Sequence, residues 1–184
     1  MAFWIIIAAV VLVVFYAVAT YNGLIAKRNR VRNAWAQIDV QLKRRHDLIP
    51  NLVNTVKGYL QHEREVLENV TRARQQAIAA GSDVAARSAA ESALSQAMRS
   101  LFAVAEAYPE LKANQNMLAL QEELGSTENK VAFARQFYND SVLQYNTARE
   151  TFPRNLFADS FGFAAEPLFA LDEPAERAVP QVQF

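Results

Sequence analysis

Residues 22–50 read NGLIAKRNRVRNAWAQIDVQLKRRHDLIP, and within them Leu24, Val31, Trp35, Ile38, Leu42 and Ile49 recur at steps of seven, four and three. Such steps align apolar side chains on one stripe of a 3.6-residue helix and scatter them over both faces of a strand. The fold class is therefore all-α. The stripe runs on through Leu52, Val56, Tyr59, Val66 and Val70, although Pro50 intervenes. Proline in a helix interior removes a backbone hydrogen bond, so a turn is expected here, with Asp47 capping a new helix and Pro50 in its first turn. The rival reading is a kink in one long helix, which leaves three helices instead of four.

Farther along, Gly81-Ser82-Asp83 supplies a glycine to end one helix and two capping residues to start the next. Leu94, Met98, Leu101, Ala105, Tyr108, Leu111 and Leu118 carry the stripe onward, with a kink expected at Pro109. A third break is expected at Gly125-Ser126-Thr127, after which Val131, Ala134, Tyr138 and Tyr145 form a last stripe that Phe152-Pro153 ends. Four amphipathic helices with short connections bury their stripes against one another, which predicts an antiparallel up-and-down four-helix bundle over residues 22–156. From Phe157 to Phe184 the composition turns to Phe, Ala, Pro and acidic residues, with Pro167, Pro174 and Pro180, and a disordered tail is expected.

Reading backward from the bundle, Met1 to Tyr21 hold no charged residue and no proline. Roughly twenty apolar helical residues cross the ~30 Å hydrocarbon core of a bilayer. Trp4 near one end and Tyr16 and Tyr21 near the other suit the two interfaces, so residues 1–21 are expected to be a single transmembrane anchor. Ala17-Val18-Ala19 offers a signal-peptidase site, but the apolar run exceeds the usual core of a signal peptide and no basic side chain precedes it. Lys27, Arg28, Arg30 and Arg32 follow the span closely. By the positive-inside rule they place the body in the cytoplasm, on a single-pass protein of the cell (inner) membrane, and they can rest against anionic headgroups.

The 19 basic and 19 acidic residues cancel, yet residues 22–79 hold eleven basic against five acidic and residues 80–184 hold eight against fourteen. Such an uneven spread suits complementary helix faces. The chain has no cysteine, which excludes disulfides and cysteine-linked lipids.

Catalytic patterns fail one by one. His62-Glu63-Arg64-Glu65-Val66 has Val66 where a zinc-protease helix needs its second histidine. A carboxylate-bridged di-metal bundle needs Glu three residues before each histidine, where Lys43 and Tyr59 stand before His46 and His62. Phosphate loops and nucleophile elbows are missing from the sequence, so catalytic residues, cofactors and metals are all assigned as none. The run Lys43-Arg44-Arg45-His46 lacks interleaved aromatics and reads as an exposed helix end, not a nucleic-acid surface. Glu63, Glu65, Glu68, Glu122 and Glu123 read as a solvated face. Tyr138-Asn139 and Tyr145-Asn146 lie seven apart on one helical face and are expected to be structural polar pairs between packed helices. In the tail, Phe161, Phe163, Leu168 and Phe169 are the candidate contacts for a partner groove.

Taken together, Tyr21-Asn22-Gly23-Leu24, the run from Asn33 to Val53, Tyr108-Pro109-Glu110-Leu111-Lys112-Ala113, Leu120-Gln121-Glu122-Glu123-Leu124, Thr127-Glu128-Asn129, Tyr138-Asn139, Tyr145-Asn146-Thr147 and Phe152-Pro153 resemble the LemA family. The resemblance runs from about Thr20 to Phe163 and implies a single-pass bacterial membrane protein with a helical-bundle body. It implies no enzymatic reaction that maps onto residues here. The function expected is a non-enzymatic, membrane-anchored scaffold or recruiter of membrane or envelope proteins. Its partners are the bilayer and those proteins, without nucleic acid, and a homo-oligomer is left open. The alternatives are membrane-surface remodelling through the basic first helix, or a metal-binding or hydrolytic bundle using scattered carboxylates with His46 and His62.

Overall fold

The computed structural model describes residues 1–60 and 62–170, and among them every regular element is helical. In chain order these are α1 (Ala2–Lys57), α2 (Arg64–Ala79), α3 (Val84–Ala105), α4 (Pro109–Lys112), α5 (Gln115–Glu150) and α6 (Asn155–Ser160). They divide into two compact units, one of Met1–Asp39 with Phe133–Leu168, the other of Val40–Ala132 with the residues from Phe169.

In the first unit, α1 opens with an apolar stretch long enough to cross a membrane, none of it buried inside the protein. The same helix then acquires a core face: Leu24, Val31, Ala34 and Ile38 are buried, as are Ala134, Tyr138, Val142, Tyr145 and Ala148 of α5. The first series steps by seven, three and four and the second by fours and threes, the spacing of one helical stripe. Trp35 and Tyr138 meet across this unit with ring centroids 5.3 Å apart.

In the second unit one apolar cluster takes Leu48, Ile49, Leu52 and Val56 from α1, Val70, Ala73 and Ala77 from α2, Leu94, Met98, Leu101 and Ala105 from α3, and Met117 and Leu124 from α5. Leu60, just past the end of α1, and Leu111 of α4 complete it.

Three helix boundaries differ from expectation. Asp47 starts no helix, because α1 continues through Pro50 to Lys57. Proline forfeits the bond from residue 50 to the His46 carbonyl, and here Arg74 Nε supplies a 2.7 Å donor to that oxygen instead. Likewise, α5 runs unbroken through Gly125-Ser126-Thr127. Thr127 is buried and its hydroxyl donates back to the Glu123 carbonyl at 2.8 Å, so it serves the helix interior and caps nothing.

Pro109, expected as a kink, sits at the start of the separate helix α4, after α3 has ended at Ala105. Asn114 then caps α5, its Oδ1 accepting from the backbone N–H groups of Asn116 and Met117 at 2.9 and 3.2 Å. This restart shifts the helical phase, so Met117 is buried and Leu118, assigned to the stripe from the sequence, is exposed. The Gly81 boundary follows its sequence signals: Gly81 has φ +64°, and Asp83 caps α3 by accepting from Ala86 N at 2.6 Å.

Of the segment expected as a tail, residues 157–160 belong to α6 and residues 163–170 form an extended strap. Residues 171–184 lie outside the described residues.

Candidate functional site

In the first unit the strap is held by side chains of α5. After α6 the chain reverses at Gly162, whose φ of +69° lies in the left-handed region that glycine enters without penalty. The strap then passes back along α5. Tyr145 donates its hydroxyl to the Ala164 carbonyl at 2.9 Å, and Tyr138 donates to the Pro167 carbonyl at 2.9 Å. Between them Asn146 makes both bonds of a backbone-like pair with Glu166: its Nδ2 donates to the Glu166 carbonyl at 2.9 Å and its Oδ1 accepts from Glu166 N at 3.0 Å. An amide side chain carries the donor and acceptor of a peptide unit, so it can stand in for a neighbouring strand.

Tyr138 and Tyr145 are 2% and 0% exposed. Burial, and after it the Glu166 carboxylate, pushes the Tyr138 hydroxyl up to about 12. The same two causes raise Tyr145, opposed by Arg28, Arg149 and Arg32. Both hydroxyls thus keep the proton they donate. Three of the four residues marked as polar pairs, Tyr138, Tyr145 and Asn146, converge on the strap backbone and not on another helix; Asn139 makes none of these four bonds.

The candidate partner contacts separate by exposure. Phe163 and Phe169 are buried, whereas Phe161 and Leu168 are 43% and 57% exposed. Phe163 lies 5.7 Å from the Tyr21 ring and under the Arg28 guanidinium at 5.2 Å. Of the membrane-proximal basic residues, Arg28 and Arg30 therefore both stack on aromatic rings, Arg30 at 5.4 Å over Phe137. Arg32 is exposed and Lys27 half-buried.

The second unit holds a buried ionic cluster. Arg45 and His46 of α1 and Glu91 of α3 are 3%, 4% and 0% exposed. His46 Nε2 lies 2.8 Å from Glu91 Oε1, Arg45 Nη1 lies 3.7 Å from Glu91 Oε2, and Arg45 Nη2 donates to Ser95 Oγ at 2.8 Å. Arg87 Nε approaches Glu91 Oε1 from one turn away at 3.9 Å, and Ser88 donates its hydroxyl to the Ala170 carbonyl. The carboxylate is hydrogen-bonded through Oε1, while the buried Oε2 has the longer ionic contact to Arg45 and no hydrogen bond.

The reading of Lys43 to His46 as an exposed helix end is thus corrected. Only Lys43 and Arg44 are exposed, Arg44 paired with Glu123 at 2.8 Å with both side chains half in solvent. The missed signal was phase: Arg45 and His46 fall three and four residues after Leu42, on the apolar stripe itself, and Glu91 falls three before Leu94. His62 is exposed in the connection between α1 and α2. The groove of about 610 Å³ in this unit, with Val53, Leu60 and Leu67 among its lining, includes neither His46 nor Glu91. No group of three or more metal-ligating side chains occurs among the described residues.

The model of a family described as the LemA family matches residues 34–184. Protein LemA of Metamycoplasma hominis is 24% identical over 159 residues, which cover 86% of this chain and 73% of that protein.

Proposed function

The chain belongs to the LemA family, and on that basis we propose that it is a membrane-anchored, non-enzymatic helical protein that recruits other membrane or envelope proteins. The observation that supports this reading is the continuity of α1, in which the exposed apolar stretch from Phe3 to Val18 passes without interruption into the buried stripe Leu24, Val31, Ala34 and Ile38. An apolar span that continues as unbroken helix into the packed stripe of its own unit suits presentation of that unit's surface near the bilayer. The buried histidine and carboxylate satisfy each other within the protein, a structural use of groups that a catalyst would expose to substrate.

The proposed contact surface is Phe161 at the end of α6 and Leu168 of the strap, together with the acidic residues that follow. A photoreactive residue at Leu168 in the membrane-embedded full chain tests this. Recovery of a defined protein adduct that disappears when residues 171–184 are removed supports recruitment through the tail. An unchanged adduct set would exclude the tail, and no adduct there or at Phe133, another exposed apolar residue, would overturn recruitment itself. The body is proposed to face the cytoplasm on the strength of Lys27, Arg28, Arg30 and Arg32. A single cysteine at Gln183, in a chain without others, should stay protected from an impermeant thiol reagent in intact cells and react after lysis.

A further inference from the structure

At the point where the apolar span ends, Tyr16, Thr20, Gly23 and Lys27 step along α1 by four, three and four residues and line one wall of a recess of about 160 Å³. Ala148 of α5 and Arg154, which follows that helix, also line it. Two features mark it as built for an anion at a membrane interface. First, Lys27 and Arg154 both face it, and neither has an acidic partner within 4 Å among the described residues. Second, aromatic side chains cluster around this level: Tyr16 packs on Phe157 at 5.9 Å and Tyr21 on Phe161 at 5.3 Å, while Phe152 and Leu156 stand exposed on the same segment. Aromatic rings of this kind prefer the headgroup layer.

Gly23 adds an independent observation. Glycine in a helix interior weakens it relative to alanine, because more backbone freedom is lost on folding. A Cβ at this position would meet no atom within 4 Å, so packing within the protein does not require glycine. Its effect is to deepen the recess between Thr20 and Lys27.

We propose that this recess binds the phosphate of an anionic membrane lipid. Lys27 and Arg154 pair with the phosphate oxygens, the Thr20 hydroxyl donates to one of them, and the acyl chains follow Tyr16 and Ala19 down the span. The volume equals about five waters at ~30 Å³ each, room for a phosphate group but not for chains, which stay on the exposed face of α1. A lipid is favoured over free phosphate because part of the wall, Tyr16 and Ala19, belongs to the membrane span itself.

Native mass spectrometry of the full chain, released from nanodiscs holding phosphatidylcholine and phosphatidylglycerol in equal amounts, tests the assignment. The expected result is one retained phosphatidylglycerol, preferred by about tenfold or more as two cations acting together would give. The Lys27→Ala/Arg154→Ala double variant should bring the two lipids near parity. Gly23→Leu, which fills the recess and favours helix, should lower phosphatidylglycerol retention while circular dichroism shows the helix content kept. Millimolar inorganic phosphate should not displace the lipid. Equal retention of both lipids by the unaltered chain, an undiminished preference in both variants, or displacement by inorganic phosphate would each overturn the proposal.

Discussion

Arg74 Nε donates a 2.7 Å hydrogen bond to the carbonyl of His46, the acceptor that Pro50 leaves without its helical donor. The bond explains how one helix passes through a proline that ordinarily ends it. An unpaired, partly buried carbonyl costs about 1–3 kcal/mol, and a neighbouring guanidinium removes that cost. The pairing predicts a coupled pair of substitutions. Arg74→Ala should destabilise the full chain in detergent by about 1–3 kcal/mol, whereas in a Pro50→Ala background the restored residue-50 N–H should bond His46 and reduce the loss to well under half. Thermal unfolding of the four proteins of this cycle measures the coupling, and equal losses in both backgrounds would detach Arg74 from the proline.

Glu91 and Glu123 make a second comparison, each lying against an arginine of the same basic run. Glu91 is fully enclosed by Arg45 and His46, while the Arg44–Glu123 pair is half in solvent. Removing one partner of a buried pair strands the other and costs about 3–5 kcal/mol, against about 0–1 kcal/mol at the surface. Glu91→Leu should therefore lower the unfolding midpoint steeply and Glu123→Leu barely. The triple change Arg45→Met, His46→Leu, Glu91→Leu should regain most of the loss, since apolar residues of similar volume fill such sites well. A triple variant as unstable as Glu91→Leu alone would contradict this account.

The helix content and the apolar span were legible from spacing and composition, because those depend on local pattern. Part of what escaped depended on partners far along the chain. The Pro50 turn was expected because no local residue can replace the lost bond; the donor lies 28 residues away on α2. Gly125-Ser126-Thr127 looked like a break, but the Thr127 hydroxyl found an acceptor one turn back inside the same helix. Charge misled at Arg45 and His46, where residue type argued for solvent and helical phase for the core, and phase prevailed. The Tyr-Asn repeat stands out by its spacing, yet its partner is a strap whose proline argues against regular structure.

Tyr138 gives the clasp a pH limit. Its hydroxyl titrates near 12 in the folded protein against 10.0 for an unperturbed tyrosine. Between those values the unfolded chain has released the proton and the native chain still holds it, so stability falls as pH rises. The contribution is intact below pH 10 and is lost progressively as pH rises toward about 12. Tyr138→Phe should be less stable than the unaltered chain by about 1 kcal/mol near neutrality, from loss of the bond to Pro167, and should lack this alkaline decline. The two unfolding midpoints should thus converge or cross above pH 10. Parallel curves would mean that the hydroxyl is not held as described.

Asn146 is the residue on which the strap depends most. It satisfies both backbone groups of Glu166, whereas each tyrosine satisfies one carbonyl, and the strap has no strand neighbour among the described residues to replace it. Asn146→Ala should leave the Glu166 N–H and C=O to water and free the strap locally, at about 1–3 kcal/mol, without melting a core to which Asn146 adds no apolar surface. Limited proteolysis separates local from global loss. Cleavage within residues 161–170 should accelerate several-fold at a temperature where the far-ultraviolet helix signal is unchanged. Asn146→Asp tests the chemistry more sharply, because a carboxylate can accept from Glu166 N but cannot donate to its carbonyl, and it sets a negative charge beside the Glu166 side chain. It should open the strap at least as readily as alanine, more so at neutral than at acid pH. Protection equal to that of the unaltered chain would show that the tyrosines alone hold the strap.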